Sequence, residues 1–139
     1  MPTKLKHLFD AKASGEFHDS VLGVFVRRNS GVWVADIPFQ SGSISLLMPG
    51  NRQRPDTACL AHAHQTIPSL PNFVRAAREF ASHQRPELSG ERLVFAALNY
   101  FSRVSADDFS LDFTEVGDDS RNCWRVHFRA NQPIELDYT

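Results

Sequence analysis

The sequence predicts an α+β domain spanning residues 1–139, with a mostly antiparallel sheet of about six strands and a helical hairpin packed on one face. Three observations support this prediction. Short apolar or alternating runs fill residues 19–48, apolar residues recur at helical spacing in residues 56–81, and alternating runs return after residue 109. Strands and helices that are grouped separately along the chain are typical of α+β folds.

Size and composition are those of a soluble globular domain, with 139 residues, 42% hydrophobic and 22% charged. Such a chain is long enough to bury a core and too apolar to be disordered. No apolar run has the length of a signal peptide or of a membrane helix. We therefore expect a cytoplasmic protein, although an export signal removed from the amino terminus would leave the same sequence.

Residues 19–48 predict a meander of three antiparallel strands. The first run, residues 19–28, is almost continuously apolar, which favours a central strand covered on both faces and bent at Gly23. The second run, residues 32–39, and the third run, residues 43–48, alternate between apolar and polar residues. Alternation of this kind is typical of half-buried antiparallel strands, and polar turn residues separate the three runs.

Two helices are predicted in the middle of the chain. Asp56 is a favourable N-cap for the first helix, and Pro68 ends it. The second helix has Pro71 in its first turn and stops before Pro86. Because both runs carry an apolar stripe, we expect a helical hairpin that lies across one face of the sheet.

Residues 91–102 fit both a helix and a strand, since either period places apolar residues on one face. We favour a strand, because further strands follow this run directly. Residues 134–138 alternate and predict a last strand at the edge of the sheet.

The clearest hairpin of the sequence joins residues 109–113 to residues 124–128 across a polar turn. The apolar residues of both runs alternate with polar ones. Depending on the register of the two strands, Asp112 faces either Arg125 or His127, and the pair would neutralise part of the acidic charge.

The side chains most often used in catalysis or metal binding do not form a recognised pattern. His62 and His64 are two positions apart on a predicted helix, so their rings point about 200° apart, with His62 towards solvent. Cys59 with His62 is a conceivable catalytic pair, but the predicted helix places Cys59 beyond the first turn, where the helix dipole helps little. Neither Cys59 nor Cys123 has a partner at metal-binding spacing. We therefore expect no enzyme, no catalytic residue, no metal and no cofactor.

Charge is distributed unevenly along the chain. The net charge of −1 creates no overall field that would attract nucleic acid or a membrane, and we expect neither as a partner. Residues 105–139, however, contain eight acidic residues against three arginines. Aspartate is common in turns because of its local hydrogen bonds, which is the alternative explanation of this run. The candidate partner-binding residues are Asp107, Asp108, Asp112, Glu115, Asp118 and Asp119.

Several segments together resemble a group of small bacterial domains of unknown function that often occur among polymorphic-toxin immunity proteins. They are His18–Gly23, Trp33, Ser43–Leu47, Phe109–Phe113 and Trp124–Phe128. The resemblance implies a non-catalytic protein that binds and neutralises a cognate toxin or effector by steric and electrostatic blocking. An acidic surface suits inhibitors of cationic toxins such as nucleases.

Two other classes of function stay open. One is a non-catalytic adaptor or small-ligand module, with a shallow pocket around Trp33 and Phe39. The other is an enzyme that acts through Cys59 or a histidine. The sequence leaves the oligomeric state open, including a homodimer.

Overall fold

The computed structural model describes residues 15–100, 108–118 and 120–139. Two α-helices and eight strands are found there. They are β1 (Glu16–Asp19), β2 (Gly23–Arg27), β3 (Trp33–Phe39), β4 (Gly42–Met48), α1 (Thr57–Thr66), α2 (Leu70–Gln84), β5 (Leu93–Asn99), β6 (Phe109–Glu115), β7 (Trp124–Arg129) and β8 (Gln132–Tyr138).

All eight strands belong to one sheet, in which their order is the order of the sequence. Neighbouring strands are antiparallel, except that β4 and β5 run parallel. The predicted α+β class and the mostly antiparallel sheet are confirmed, whereas the predicted number of about six strands is wrong.

The first predicted strand, residues 19–28, is not one strand: it contains the end of β1, a turn and β2, and β1 and β2 pair as a hairpin. The Asp19 carboxylate accepts hydrogen bonds from the amides of Val21 and Leu22, which closes the turn. Gly23 follows with φ +93°, a conformation that favours glycine. The expected coverage on both faces is also wrong, because Val24 is exposed while Phe25 is fully buried.

The predicted helical hairpin is wrong as well. Helices α1 and α2 form one kinked helical segment, joined by a turn of 3-10 helix at Ile67–Ser69, and they make few direct contacts with each other. Pro68 lacks an amide hydrogen and so interrupts the α-helical hydrogen bonds. Both Ile67 and Leu70 keep right-handed helical angles, so the chain continues forward and does not reverse.

The helical segment connects β4 to β5 and packs against one face of the sheet. Such a crossover is what a parallel pair of strands requires. Phe73 of α2 lies edge-on against the rings of Phe109 and Phe128, with ring centroids 5.4 and 5.6 Å away. The largest fully buried side chains on this face of the sheet are Phe25, Trp33, Leu46, Met48, Leu93, Leu98, Phe109, Leu111, Phe113 and Phe128.

The carboxy-terminal predictions are confirmed. Residues 93–99 form strand β5, β6 and β7 form a hairpin, and β8 lies at the edge of the sheet. The register of the hairpin sets Asp112 opposite Arg125. Within the described ranges, no helix is both long enough and apolar enough to cross a membrane.

Candidate binding face

The sheet has a second face, which points away from the helical segment because side chains alternate along each strand. We call it the open face, since no described helix packs on it. Its side chains include Val24, Val26, Val34, Asp36, Ser45, Leu47, Val94, Ala97, Ser110, Asp112, Arg125, His127, Glu135 and Asp137.

One half of the open face is apolar. Val26 pairs with Val34 across β2 and β3, and Val34 pairs with Leu47 across β3 and β4. Beside this row lies a shallow depression of about 720 Å³, whose lining includes Val34, Leu47, Ala97 and Asp112. Apolar side chains that are partly exposed in a row of this kind provide area that a partner or ligand can remove from water.

The other half of the open face is polar, and an ion pair lies at its centre. Arg125 donates from Nε and Nη2 to the two carboxylate oxygens of Asp112, over 2.7 and 3.0 Å. These hydrogen bonds are the main reason that the pKa of Arg125 is raised above its ordinary value. The bidentate geometry fixes both side chains on the sheet.

Beyond this ion pair lies a cluster of His127, Glu135 and Asp137. The imidazole of His127 is 1% exposed, and its Nε2 lies 2.6 Å from a carboxylate oxygen of Asp137. Glu135 is directly opposite His127 in the register of β7 and β8. One donor atom from each of the three side chains lies within 4.8 Å of the other two. Alternation in β7 and β8 was the available sequence signal, because it places all three on one face.

The predicted acidic residues do not converge. Asp112 lies on the open face, whereas Glu115 accepts a hydrogen bond from Nε1 of Trp124 at the end of β6. The carboxylate of Asp108 accepts from the amide of Ala130. Asp107 lies outside the described residues.

The turn after β6 holds the remaining acidic pair. Asp118 accepts hydrogen bonds from the amide of Ser120 and from the hydroxyl of Tyr138, and the first of these is the main cause of its lowered pKa. Asp119 lies outside the described residues. The four described carboxylates thus all have intramolecular partners, but only the bond of Asp118 to Ser120 is local to a turn. Their role in partner binding stays a prediction.

The two histidines of helix α1, His62 and His64, form hydrogen bonds with different residues. His62 Nδ1 lies 2.9 Å from the hydroxyl of Tyr100 and 3.0 Å from Oγ1 of Thr66, so its predicted position towards solvent is wrong. Burial raises the pKa of Tyr100 above its usual range. His64 Nε2 lies 3.0 Å from the carboxylate of Asp19.

Cys59 lies in the first turn of α1, closer to the helix start than predicted. The helix begins at Thr57, and the carboxylate of its N-cap, Asp56, accepts a hydrogen bond from the amide of Cys59. The predicted N-cap, Asp56, is confirmed, so the boundary was right; with this N-cap, Cys59 is the third helical residue and belongs to the first turn.

The predicted ligand pocket around Trp33 and Phe39 is wrong. Trp33 is fully buried, and its Nε1 donates to the carbonyl of Asn51 over 2.9 Å. Phe39 packs edge-on against Phe95, with ring centroids 5.2 Å apart. Both aromatic residues belong to the face that the helical segment covers, while the depression lies on the open face.

Comparison of the chain with protein-family models, curated proteins and solved structures found no match. The likeness to immunity proteins therefore depends on the sequence segments alone.

Proposed function

We propose that the chain is a non-catalytic, cytoplasmic protein of the immunity type, which binds and neutralises a cognate toxin or effector through the open face. The observation that carries this proposal is the exposure of several valines on a sheet face that no described helix covers. Val24, Val26 and Val94 are 45%, 37% and 48% exposed there.

The composition of the face suits a protein partner. Its apolar row is bordered by charged side chains, namely Asp36 on β3 and, across the depression, Asp112 on β6. A central apolar region with a polar rim is the usual anatomy of a protein–protein interface. Carboxylates at the rim would speed association with a basic partner surface.

The test is co-expression with the toxin encoded next to this gene, followed by purification of the complex and a growth assay. We expect protection by the unmodified chain. Val24→Glu combined with Val26→Glu should weaken binding at least about tenfold, because the apolar row would have to bury two charges.

A matched control is Val116→Glu, whose side chain is 50% exposed in the turn after β6 and therefore away from the open face. It should protect as well as the unmodified chain. Absence of both binding and protection would reject the immunity function. Full binding by the Val24 and Val26 variant would instead reject the open face as the interface.

A second candidate function is that of a small-ligand module, and the depression beside Val34 and Leu47 favours it. Its volume of about 720 Å³ is within the range of ligand pockets, about 300–1,000 Å³. A metabolite that raises the melting temperature of the protein, but not of Leu47→Trp, would support this function. If no metabolite changes the melting temperature, the depression is not a ligand site.

A further inference from the structure

We propose that His127, Glu135 and Asp137 bind a divalent transition-metal ion on the open face. They offer one imidazole nitrogen and two carboxylate oxygens, all within 4.8 Å of one another. This combination matches the ligand types that bind zinc, manganese and ferrous iron in proteins. The inference is independent of the proposed toxin-binding function.

The spacing of the donor atoms is close to what one ion requires. Ligand atoms lie about 2.0–2.2 Å from such an ion, so two ligands of the same ion are separated by about 3–4 Å. The His127 nitrogen and the Asp137 oxygen are 2.6 Å apart, and the widest pair of the cluster is within 4.8 Å. Side-chain rotations that move the oxygens of the half-buried carboxylates by about 1–2 Å would separate the closest pair, draw the widest pair together and bring all three donors to ligand distance.

The backbone holds the three side chains in place. His127 and Glu135 are register partners in β7 and β8, and Asp137 follows two residues later on the same face. The imidazole is 1% exposed, so surrounding side chains fix its orientation. A site on two paired strands is more rigid than a site on a loop.

The charges around the cluster favour a cation. In the part of the chain that the structure describes, Glu135 has no hydrogen bond or ion pair from its side chain, and Asp137 is paired with the imidazole of His127. Arg125 faces Asp137 in the register, but its guanidinium is bound by both oxygens of Asp112. Among the described residues, two carboxylates thus converge on one imidazole, which favours binding of a cation there.

A buried hydroxyl lies next to this cluster. Ser110 is the register partner of His127 on the other side, so both side chains are on the same face. Its Oγ is fully buried and has no hydrogen-bond partner within the described ranges of the chain. A buried polar group without a partner is uncommon and marks a place where a ligand or its water would be stabilised.

Three protein ligands leave at least one coordination position to water or to another molecule. One imidazole with two carboxylates is a mixed nitrogen and oxygen set, which favours zinc or manganese over calcium, an ion that takes oxygen ligands only. The site is therefore expected to prefer zinc and manganese.

The experiment is calorimetric titration of the full chain, treated with a chelator beforehand, with zinc, manganese and calcium chlorides. We expect one zinc or manganese ion per chain and at least about tenfold weaker binding of calcium. Glu135→Gln, which keeps the size of a half-buried side chain, should weaken zinc binding by at least about tenfold, and Glu135→Gln with Asp137→Asn should abolish it.

The matched control is His64→Gln, which removes a different imidazole–carboxylate pair, far along the chain from β7 and β8, and should leave zinc affinity unchanged. Nitrogen NMR of the unmodified protein should show the resonance of the His127 ring shifting on addition of zinc. The proposal is overturned if zinc and manganese do not bind, or if they bind equally well to the Glu135 and Asp137 variant.

Discussion

At the scale of single residues, Asp19 connects the first hairpin to the helical segment. One oxygen of its carboxylate accepts from the amides of Val21 and Leu22, and the other lies 3.0 Å from Nε2 of His64. Burial alone would raise the pKa of Asp19, but the hydrogen bonds from Leu22, His64 and Val21 together lower it below its ordinary value. The charged form is therefore the one that the folded state stabilises.

Replacing the carboxylate of Asp19 should make the free energy of unfolding less dependent on pH in the acidic range. We expect Asp19→Ala to lower the free energy of unfolding by about 1–2 kcal/mol at pH 7, since two amides lose their acceptor. Because the folded-state pKa is lowered, the contribution is present above the ordinary pKa of aspartate, about 3.9, and is lost as the pH falls through the folded-state value. Urea denaturation at pH 7 and near pH 3 should show the two proteins converging in acid.

The control for this prediction is Asp36→Asn, because Asp36 is exposed on the sheet and makes no hydrogen bond from its side chain within the described residues. It should change stability by no more than about 0.5 kcal/mol at either pH. An equal difference between Asp19→Ala and the unmodified protein at both pH values would contradict the role of the charge.

At the scale of elements, the connection between β4 and α1 is held by the indole of Trp33. Its Nε1 donates to the carbonyl of Asn51, and the side chain of Asn51 accepts from the amides of Gln53 and Arg54. Gly50 passes so close to the indole that a Cβ atom there would lie 2.6 Å from Cδ1 of Trp33. Glycine is therefore required for a close approach of the backbone to a buried ring.

We expect Gly50→Ala to destabilise the protein by about 1–3 kcal/mol, because the methyl group overlaps the indole and the carbonyl of Arg54. Gly42→Ala is the matched control, since a Cβ atom there would have no neighbour within 4 Å. It should change the free energy of unfolding by no more than about 0.5 kcal/mol. Chemical denaturation of both variants checks the prediction, and equal stability of the two would refute it.

Elements with a clear period could be predicted from the sequence. Strands β3, β6 and β7 alternate, and their register follows from the face that must be buried. The hairpin of β1 and β2 could not be predicted, since its turn includes Val21 and Leu22, and apolar residues in a turn do not interrupt an apolar run. The sequence predicts that the helix breaks at Pro68. It does not predict the direction in which the chain continues, because a proline interrupts the helical hydrogen bonds in a kink and in a reversal alike.

At the scale of the whole molecule, the two halves of the sheet meet at the parallel pair of β4 and β5. Leu46 and Leu98 are register partners there, and both are fully buried. The helical segment covers this pair from one side. The junction is therefore the place where packing couples the amino-terminal strands to the carboxy-terminal ones.

Leu46→Ala and Leu98→Ala should each destabilise the protein by about 2–5 kcal/mol, because each leaves a cavity in a fully packed core. Val94→Ala, at a side chain that is 48% exposed on the open face of the same strand, should have an effect of less than about 1 kcal/mol. Thermal and urea denaturation of the single variants and of the Leu46 and Leu98 double variant would measure the coupling. Strict additivity of the two leucine variants would argue against the junction as a packing unit.

Only part of the candidate site could be predicted from the sequence. The pairing of Asp112 with Arg125 followed from alternation, and the register decided between Arg125 and His127. The predicted acidic residues are close together in the sequence, but closeness in sequence does not show whether their side chains share one surface. The sequence predicts the last strand but not its register with β7, so it does not show that Glu135 lies opposite His127.

The order of strands in the sheet, which follows the chain, also determines how the protein reaches its folded state. Every antiparallel pair from β1 to β4 and most pairs from β5 onwards are closed by short connections, so they form at little loop-closure entropy. Only the parallel pair must bring together residues separated by the whole helical segment. We therefore expect the slowest step of folding to be the docking of two locally formed meanders, at a rate that depends on how readily residues 57–84 become helical.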